Sequence, residues 1–313
     1  MFEIKRYEPS HEQAWNDFVA RSKNGTFLFD RRFMDYHSDR FADSSLMILR
    51  KERIYALLPA NRVGDTLHSH QGLTYGGLLT DAKATAEGVM EAFGALNAWL
   101  RNEGVRRMTY KAMPWIYHRL PAEEDLYALT QVCHARLLTR EISSTILLQQ
   151  PLRFTESRKS GLRKALREGL YMEESGDLAA FWQMLDDNLA SRHHTHPVHS
   201  LDELRLLQGR FPQQIHLYLI YNKEKEPVGG TWVFDTGQVV HTQYIASTEE
   251  GKAHGALDLL FDELINRRYR EGIYLDFGKS TEEGGRVLNE HLIFQKEGFG
   301  GRGVCYDTYE WEP

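Results

Sequence analysis

The sequence predicts an α/β (α+β) protein made of two tandem domains of one design, each a mixed, mostly antiparallel sheet flanked by helices. Three observations carry this expectation. Short apolar stretches of strand character alternate with segments whose apolar residues recur at helical spacing. The order strand, two helices, β meander, helix, strand, helix, strand occurs in the first half and again in the second, from unrelated residues. The long helix of each half stops at a Glu-Gly pair, Glu103-Gly104 and Glu271-Gly272, and a short apolar strand follows.

In the first half, residues 2–7 predict a strand, and Ala14, Trp15, Phe18 and Val19 mark the apolar face of a helix. Residues 27–37 predict a second, short helix. Stretches 45–50 and 53–62 read as strands turned at Lys51-Glu52, followed by a glycine-bearing segment, 71–79. The long helix spans 84–102 with Val89, Ala92, Phe93, Leu96 and Leu100 on one face, and a strand at 105–111, a helix at 123–134 and a strand at 142–148 complete the half. The domain boundary is expected near Pro151, giving domains 1–150 and 151–313.

The second half opens with a basic segment, 153–167. A strand (170–174), two helices (178–191 and 201–210), a hairpin (215–221 with 228–235) and a strand at 239–246 follow. The long helix is 256–270, with a strand at 273–277, a helix at 287–296 and a terminal strand at 304–311.

The chain has 313 residues, 42% apolar and 26% charged, which is ordinary for two globular domains and excludes disorder and collagen-like repeats. Its 38 Lys+Arg against 44 Asp+Glu leave a net charge of -6, which excludes a dedicated nucleic-acid coat or chromatin protein, so any phosphate-binding role is local. Two cysteines, Cys133 and Cys305, cannot build a disulfide framework and read as small buried hydrophobes in a reducing compartment. Charge at the amino terminus and the lack of an ~18–20-residue apolar run argue against a signal peptide and a membrane span, so a cytoplasmic location is expected.

Several segments of the second half share motifs with a known fold. Arg158-Lys159-Ser160-Gly161-Leu162-Arg163-Lys164 lies on a basic helix, Tyr244-Ile245-Ala246-Ser247 precedes Gly255 and a long helix, and Asn289 starts a run that ends at Gly298-Phe299-Gly300. With the doubled order of elements, these motifs resemble the GNAT superfamily of acyltransferases, and the tandem copy resembles its FemAB-type branch. The resemblance covers nearly the whole chain. It implies an N-acyltransferase that moves an acyl or aminoacyl group to a small-molecule or peptide amine by direct attack in a ternary complex. Acyl coenzyme A is the implied donor co-substrate, or aminoacyl-tRNA as in the Fem enzymes that extend cell-wall peptide bridges. No metal is implied. In such a protein the second domain holds the donor and the first supports the acceptor.

The donor loop aligns on Lys252, Gly255 and Ala256, whose backbone N–H groups would cradle a pyrophosphate, although Leu257 stands where a small residue is expected. Lys279 and Lys296 could neutralise a diphosphate or an oxyanion, and Asn289 completes the donor-side set. Asp276 ends an apolar strand and is either the base toward the acceptor amine or a structural cap. Phe294 holds the place of a family tyrosine that protonates the leaving thiolate, so Tyr244 and Tyr306 are candidate acids, with core packing as the plain reading of each. The window His193 to His199 could line an acceptor pocket with Arg192, His193 as a base and His196 as a contact; a metal site and an exposed loop are the other readings. Arg158 and Arg163 could meet phosphate or tRNA, or form a solvated helix face. Tyr75 and Gly76 could meet substrate through the backbone, or mark a bulge. Against the enzyme stands a non-catalytic binding module, suggested by Leu257 and Phe294.

Overall fold

The computed structural model describes residues 1–193 and 196–313, and of Arg192 and His193 the backbone alone. Contacts divide the chain into two units, the first comprising Met1–Glu141, Thr281–Val287 and Cys305–Pro313, the second Ile142–Ser280 and Leu288–Val304. The change of unit falls inside the strand Arg136–Leu147 and the last nine residues belong with the first unit, so the units are not two continuous halves.

The first unit holds a four-stranded antiparallel sheet in the order Phe2–Arg6, Leu46–Arg50, Arg53–Leu58, Leu79–Thr80. Its long helix, Ala86–Asn102, begins where the Thr85 hydroxyl accepts the Gly88 N–H at 3.2 Å. That helix buries Val89, Phe93, Leu96 and Leu100 against Leu46, Ile48, Met108 and Trp311. The segment expected as one short helix at 27–37 is instead three single turns, Phe27–Phe29, Arg31–Met34 and Asp35–His37, because the Asp30 side chain caps Arg32 and restarts the chain.

In the second unit, strands are ordered from Arg136–Leu147 through Tyr274–Lys279, Val239–Ser247, Pro227–Asp235 and Ile215–Tyr221 to Tyr171–Glu174. Neighbours run antiparallel except Val239–Ser247 with Tyr274–Lys279, which are parallel. One face packs on the helices Glu156–Arg167 and Ala256–Glu263 through Leu259, Leu260 and Phe261 against Tyr218, Val233, Val240 and Phe277. Since strand side chains alternate, Trp232 points to the other face, where its indole N–H donates to Gln208 of the Leu201–Arg210 helix at 3.3 Å.

Three expectations for this unit are revised. The helix expected at 256–270 ends at Glu263 and widens into a π turn, Leu264–Arg268. An extra helix, Glu249–His254, fills the stretch before Gly255, started by the Thr248 hydroxyl accepting from Gly251 N–H at 3.0 Å. The helix expected at 287–296 is Glu290–Gly298, because the Asn289 side chain accepts the Leu292 N–H at 3.0 Å and sets its start.

Gly255 joins two helices in the left-handed region, φ 77°, and a Cβ there would lie 2.4 Å from the Gly161 carbonyl oxygen. Both strain and clash therefore forbid a side chain. Gly255→Ala should cost about 2–4 kcal/mol, seen as a lower urea midpoint at unchanged m. Gly94→Ala, on an exposed helix position with nothing within 4 Å of its Cβ, should instead stabilise by about 0.5–1 kcal/mol.

Candidate active site

The parallel strands of the second unit are in register at Val239–Tyr274, Val240–Leu275 and His241–Asp276, and among the described residues the pairing ends there. Two local features drive them apart. Between Thr242 and Tyr244 the first strand carries one extra residue, Gln243, opposite Val233 and Trp232, and such a bulge bends its strand. On the other strand Gly278 turns into the left-handed region, φ 73°, and the register with the Arg136–Leu147 strand shifts between Asp276 and Lys279. A cavity of about 230 Å³ occupies the resulting wedge. Ile245, Ala246 and Ser247 form one arm and Phe277 the other. Leu185 and Asn188 approach from the Leu178–His193 helix, Leu257 and Phe261 from the Ala256–Glu263 helix, and Leu292, Gln295 and Lys296 from the Glu290–Gly298 helix.

At the apex the Asp276 side chain is fully buried. Its Oδ1 accepts from the Ser143 hydroxyl, the Thr145 hydroxyl at 3.1 Å and the Gly278 N–H at 3.3 Å, while Oδ2 accepts from His241 Nδ1 at 3.0 Å. Beside it, Lys296 is 5% exposed and its ammonium donates to the carbonyls of Gly278 (2.8 Å) and Lys279 (2.9 Å) and to Ser280 Oγ (3.0 Å). Burial pushes the Lys296 amine down to about 8, and the Asp276 charge opposes that fall. A cation is thus held rigidly in the wall of an otherwise largely apolar cavity.

Of the expected set, Lys252 and Lys296 line the wedge; the other described members do not. Lys252 lines the cavity and pairs with Glu249. Gly255 and Ala256 begin the helix behind Leu257, and Ala256 is buried. That turn is already covered. The Gly161 carbonyl packs on Gly255, and Asp258, in the helix's first turn, pairs with Arg158 at 3.1 Å. Arg158 also lies over the Phe299 ring, 5.2 Å from its centre, so it belongs to the packing of this turn. The Lys279 side chain is exposed and its backbone carbonyl serves Lys296. The Asn289 side-chain oxygen caps its own helix.

Tyr244 shares a 2.6 Å hydrogen bond with His199 Nδ1 and stacks near Trp232; burial raises its hydroxyl to about 12. Tyr306, the other tyrosine considered as an acid, is buried and bonds to the Tyr117 hydroxyl at 2.9 Å in the first unit. Arg163 pairs with Glu156 at 2.8 Å on an exposed face. His196 is exposed and bonds to Asp186 at 2.7 Å. The side chains of Arg192 and His193 lie outside the described residues. In the first unit Tyr75 is core, its hydroxyl donating to Thr26 Oγ1 at 3.2 Å, and Gly76 is needed because a Cβ would lie 1.6 Å from the Ser69 carbonyl. Of the two cysteines read as small buried hydrophobes, Cys133 is buried and Cys305 is exposed. Phe294 is 68% exposed, on the outer side of its helix, while Leu292, Gln295 and Lys296 of that helix face the cavity.

His241, Ser143 and Thr145 were not among the expected residues. Their signal was present as polar residues inside apolar strands, Val239-Val240-His241-Thr242 and Ser143-Ser144-Thr145-Ile146, where a buried polar group needs a partner. Among the described residues no group of three or more His, Cys, Asp or Glu is placed to hold a metal ion, and no helix is long and apolar enough to cross a membrane.

Residues 155–284, which include the splayed parallel pair, match the family model described as Acetyltransferase (GNAT) domain. The segment is similar to that family. The chain as a whole has a tandem GNAT fold. Among solved structures this fold is similar to FemX, at TM-score 0.68 and 11% identity over 99% of this chain and 97% of that one. It is similar also to L-PGS from Bacillus licheniformis, at TM-score 0.62 and 12% identity over 97% and 92%. A tandem GNAT protein from the clavulanic acid biosynthesis pathway aligns at TM-score 0.52 and 12% identity over 100% and 98%. No curated protein matches the chain.

The wall cation gives a titration test. Folded Lys296 releases its proton near pH 8 and unfolded lysine near 10.5, so between these values the unfolded chain binds more protons and this group's contribution to stability rises with pH. Lys296→Met should abolish that rise in denaturation curves taken from pH 8 to 10.5. By NMR the Lys296 midpoint should stand near 8 and fall further in Asp276→Asn, which removes the opposing charge; a midpoint at the ordinary value would contradict the burial.

Proposed function

We propose that this protein transfers an acyl or aminoacyl group to an amine, with the donor carbonyl held in the wedge between the Val239–Ser247 and Tyr274–Lys279 strands. The supporting observation is the cavity itself, apolar along its arms and carrying the Lys296 cation in its wall. The acceptor nitrogen attacks the carbonyl directly, forming the C–N bond; the C–S or C–O bond to the donor breaks, the nitrogen gives up one proton and the leaving group gains one. Lys296 opposes the charge that develops on the carbonyl oxygen in a medium where such a charge is poorly solvated. Fully buried Asp276 does not meet the acceptor; it is a positioning residue that fixes His241 and sustains the Lys296 charge.

Between the two donors expected from the sequence, the covered turn favours the aminoacyl ester. A coenzyme A diphosphate bound in the usual GNAT manner would face the Asp258 carboxylate in the first turn and the Gly161 backbone on Gly255. An aminoacyl ester on a terminal ribose brings no diphosphate to that turn. The acceptor is a small-molecule or peptide amine, and a cytoplasmic setting, with a role in cell-envelope metabolism, suits both substrates.

Thermal shift with an aminoacyl-adenosine analogue and with acetyl coenzyme A separates these readings. The analogue should raise the melting temperature by several degrees at saturation, coenzyme A should not, and Ile245→Trp, which fills the cavity, should abolish the effect. Tighter binding of acetyl coenzyme A would reverse the donor assignment, and no response to either would favour a non-catalytic binding module.

A further inference from the structure

The walls of the wedge cavity differ from one another in a way that bears on which acyl group they accept. Leucine, isoleucine and phenylalanine side chains reach the cavity from two strands and three helices. An apolar cavity of about 150 Å³ takes up one benzene ring. This one, of about 230 Å³, has room for a branched aliphatic or single-ring side chain together with the carbonyl that carries it.

Most polar groups of the lining are already engaged. The Ser247 hydroxyl donates to the Val228 carbonyl at 3.1 Å, the Lys296 ammonium spends its N–H groups on Gly278, Lys279 and Ser280, and Lys252 pairs with Glu249. Gln295 is neutral, and among the described residues no Asp or Glu lines the cavity. A cationic side chain placed there would lose its water, find no counter-charge and meet Lys296. A carboxylate side chain would give up water for apolar walls and compete with Glu249 for Lys252.

Asn188 is the exception. Its Nδ2 donates to the Met184 carbonyl at 2.7 Å, within its own helix, and to the Ser247 carbonyl at 3.1 Å, on the strand arm. Both partners only accept, which fixes the orientation of the amide and spends both of its N–H groups. What Asn188 offers a ligand is therefore Oδ1, which accepts no hydrogen bond among the described residues. A carbonyl oxygen without a cation or donor of its own suits an ammonium group.

Resting on the aminoacyl reading of the wedge given above, we propose that the site selects an α-aminoacyl group with an uncharged apolar side chain, of leucyl to phenylalanyl size. The side chain lies among Ile245, Leu257, Phe261 and Phe277, and Asn188 Oδ1 accepts from the α-ammonium. An alanyl group would leave the apolar walls unfilled, and an acyl group without the amine would leave Oδ1 facing carbon.

Calorimetric titration of the full chain with stable aminoacyl-amido-adenosines tests this selection. The leucyl and phenylalanyl compounds should bind at least about tenfold more tightly than the alanyl, lysyl and aspartyl compounds. Asn188→Ala should weaken the leucyl compound at least about tenfold and leave its counterpart lacking the amine within about twofold, a difference that general loosening of the helix would not produce. Leu257→Asp, which adds the missing counter-charge, should move the preference toward lysyl. Alanyl, lysyl or aspartyl compounds binding the unaltered chain as tightly as leucyl, with Ile245→Trp still abolishing binding, would overturn the selection and leave the donor site standing. Equal weakening of the leucyl compound and its amine-free counterpart in Asn188→Ala would overturn the role of Oδ1. Absence of binding by every compound would overturn the selection and the donor site together.

Discussion

The parting of two parallel strands after His241 and Asp276 is the constraint on which the second unit turns. A sheet that stayed closed would spend the backbone groups of Tyr244–Ser247 and Phe277–Lys279 on each other. Opened by the Gln243 bulge and the Gly278 turn, it leaves a cavity, and the backbone freed on one side finds a new partner: the carbonyls of Gly278 and Lys279 accept from Lys296. A buried ammonium without acceptors would cost several kcal/mol, so the same turn that opens the wedge also makes it possible to bury a cation in its wall. Asp276 ties the two strands together at the apex, with contacts to Ser143, Thr145, His241 and the Gly278 N–H.

The first turn of the Ala256–Glu263 helix shows how a shared fold can hold a different electrostatic state. A helix amino terminus attracts anions, and in this chain the anion is Asp258, neutralised in turn by Arg158. Gly161 and Gly255 permit the close approach of the two helices that this pair requires, since a Cβ on Gly161 would lie 2.1 Å from an Asp258 carboxylate oxygen. The same backbone geometry that elsewhere would receive a diphosphate is satisfied internally.

Much of the fold was legible because its signals are local. Apolar periodicity marked the face of the Glu12–Arg21 helix and placed Ala86–Asn102 and Leu201–Arg210 within two residues of their observed ends, and the Glu-Gly stops marked where the two long helices give way to strands. The site was less legible because its bonds are not local. Asp276 and Lys296 could be picked out by strand and motif position, yet the partners of Asp276 at Ser143 and Thr145 lie more than 130 residues away and reveal themselves only through pairing register. Asn289 offered a ligand-like amide whose role is the cap of the following helix, a competition that short polar side chains often win locally. Phe294 was read by its place in a motif, and helix phase turned it to solvent and Lys296 to the cavity.

The most direct test of the wedge as the donor site is a methyl-labelled NMR titration of the full chain with the aminoacyl-adenosine analogue. Ile245, Leu257 and Leu292 line the cavity from its strand and two of its helices, while Leu28 and Leu57 are buried in the first unit. The expected result is a saturable shift of the first three methyl signals with the last two unmoved. Saturable shifts elsewhere with Ile245, Leu257 and Leu292 unchanged would contradict the assignment of the wedge.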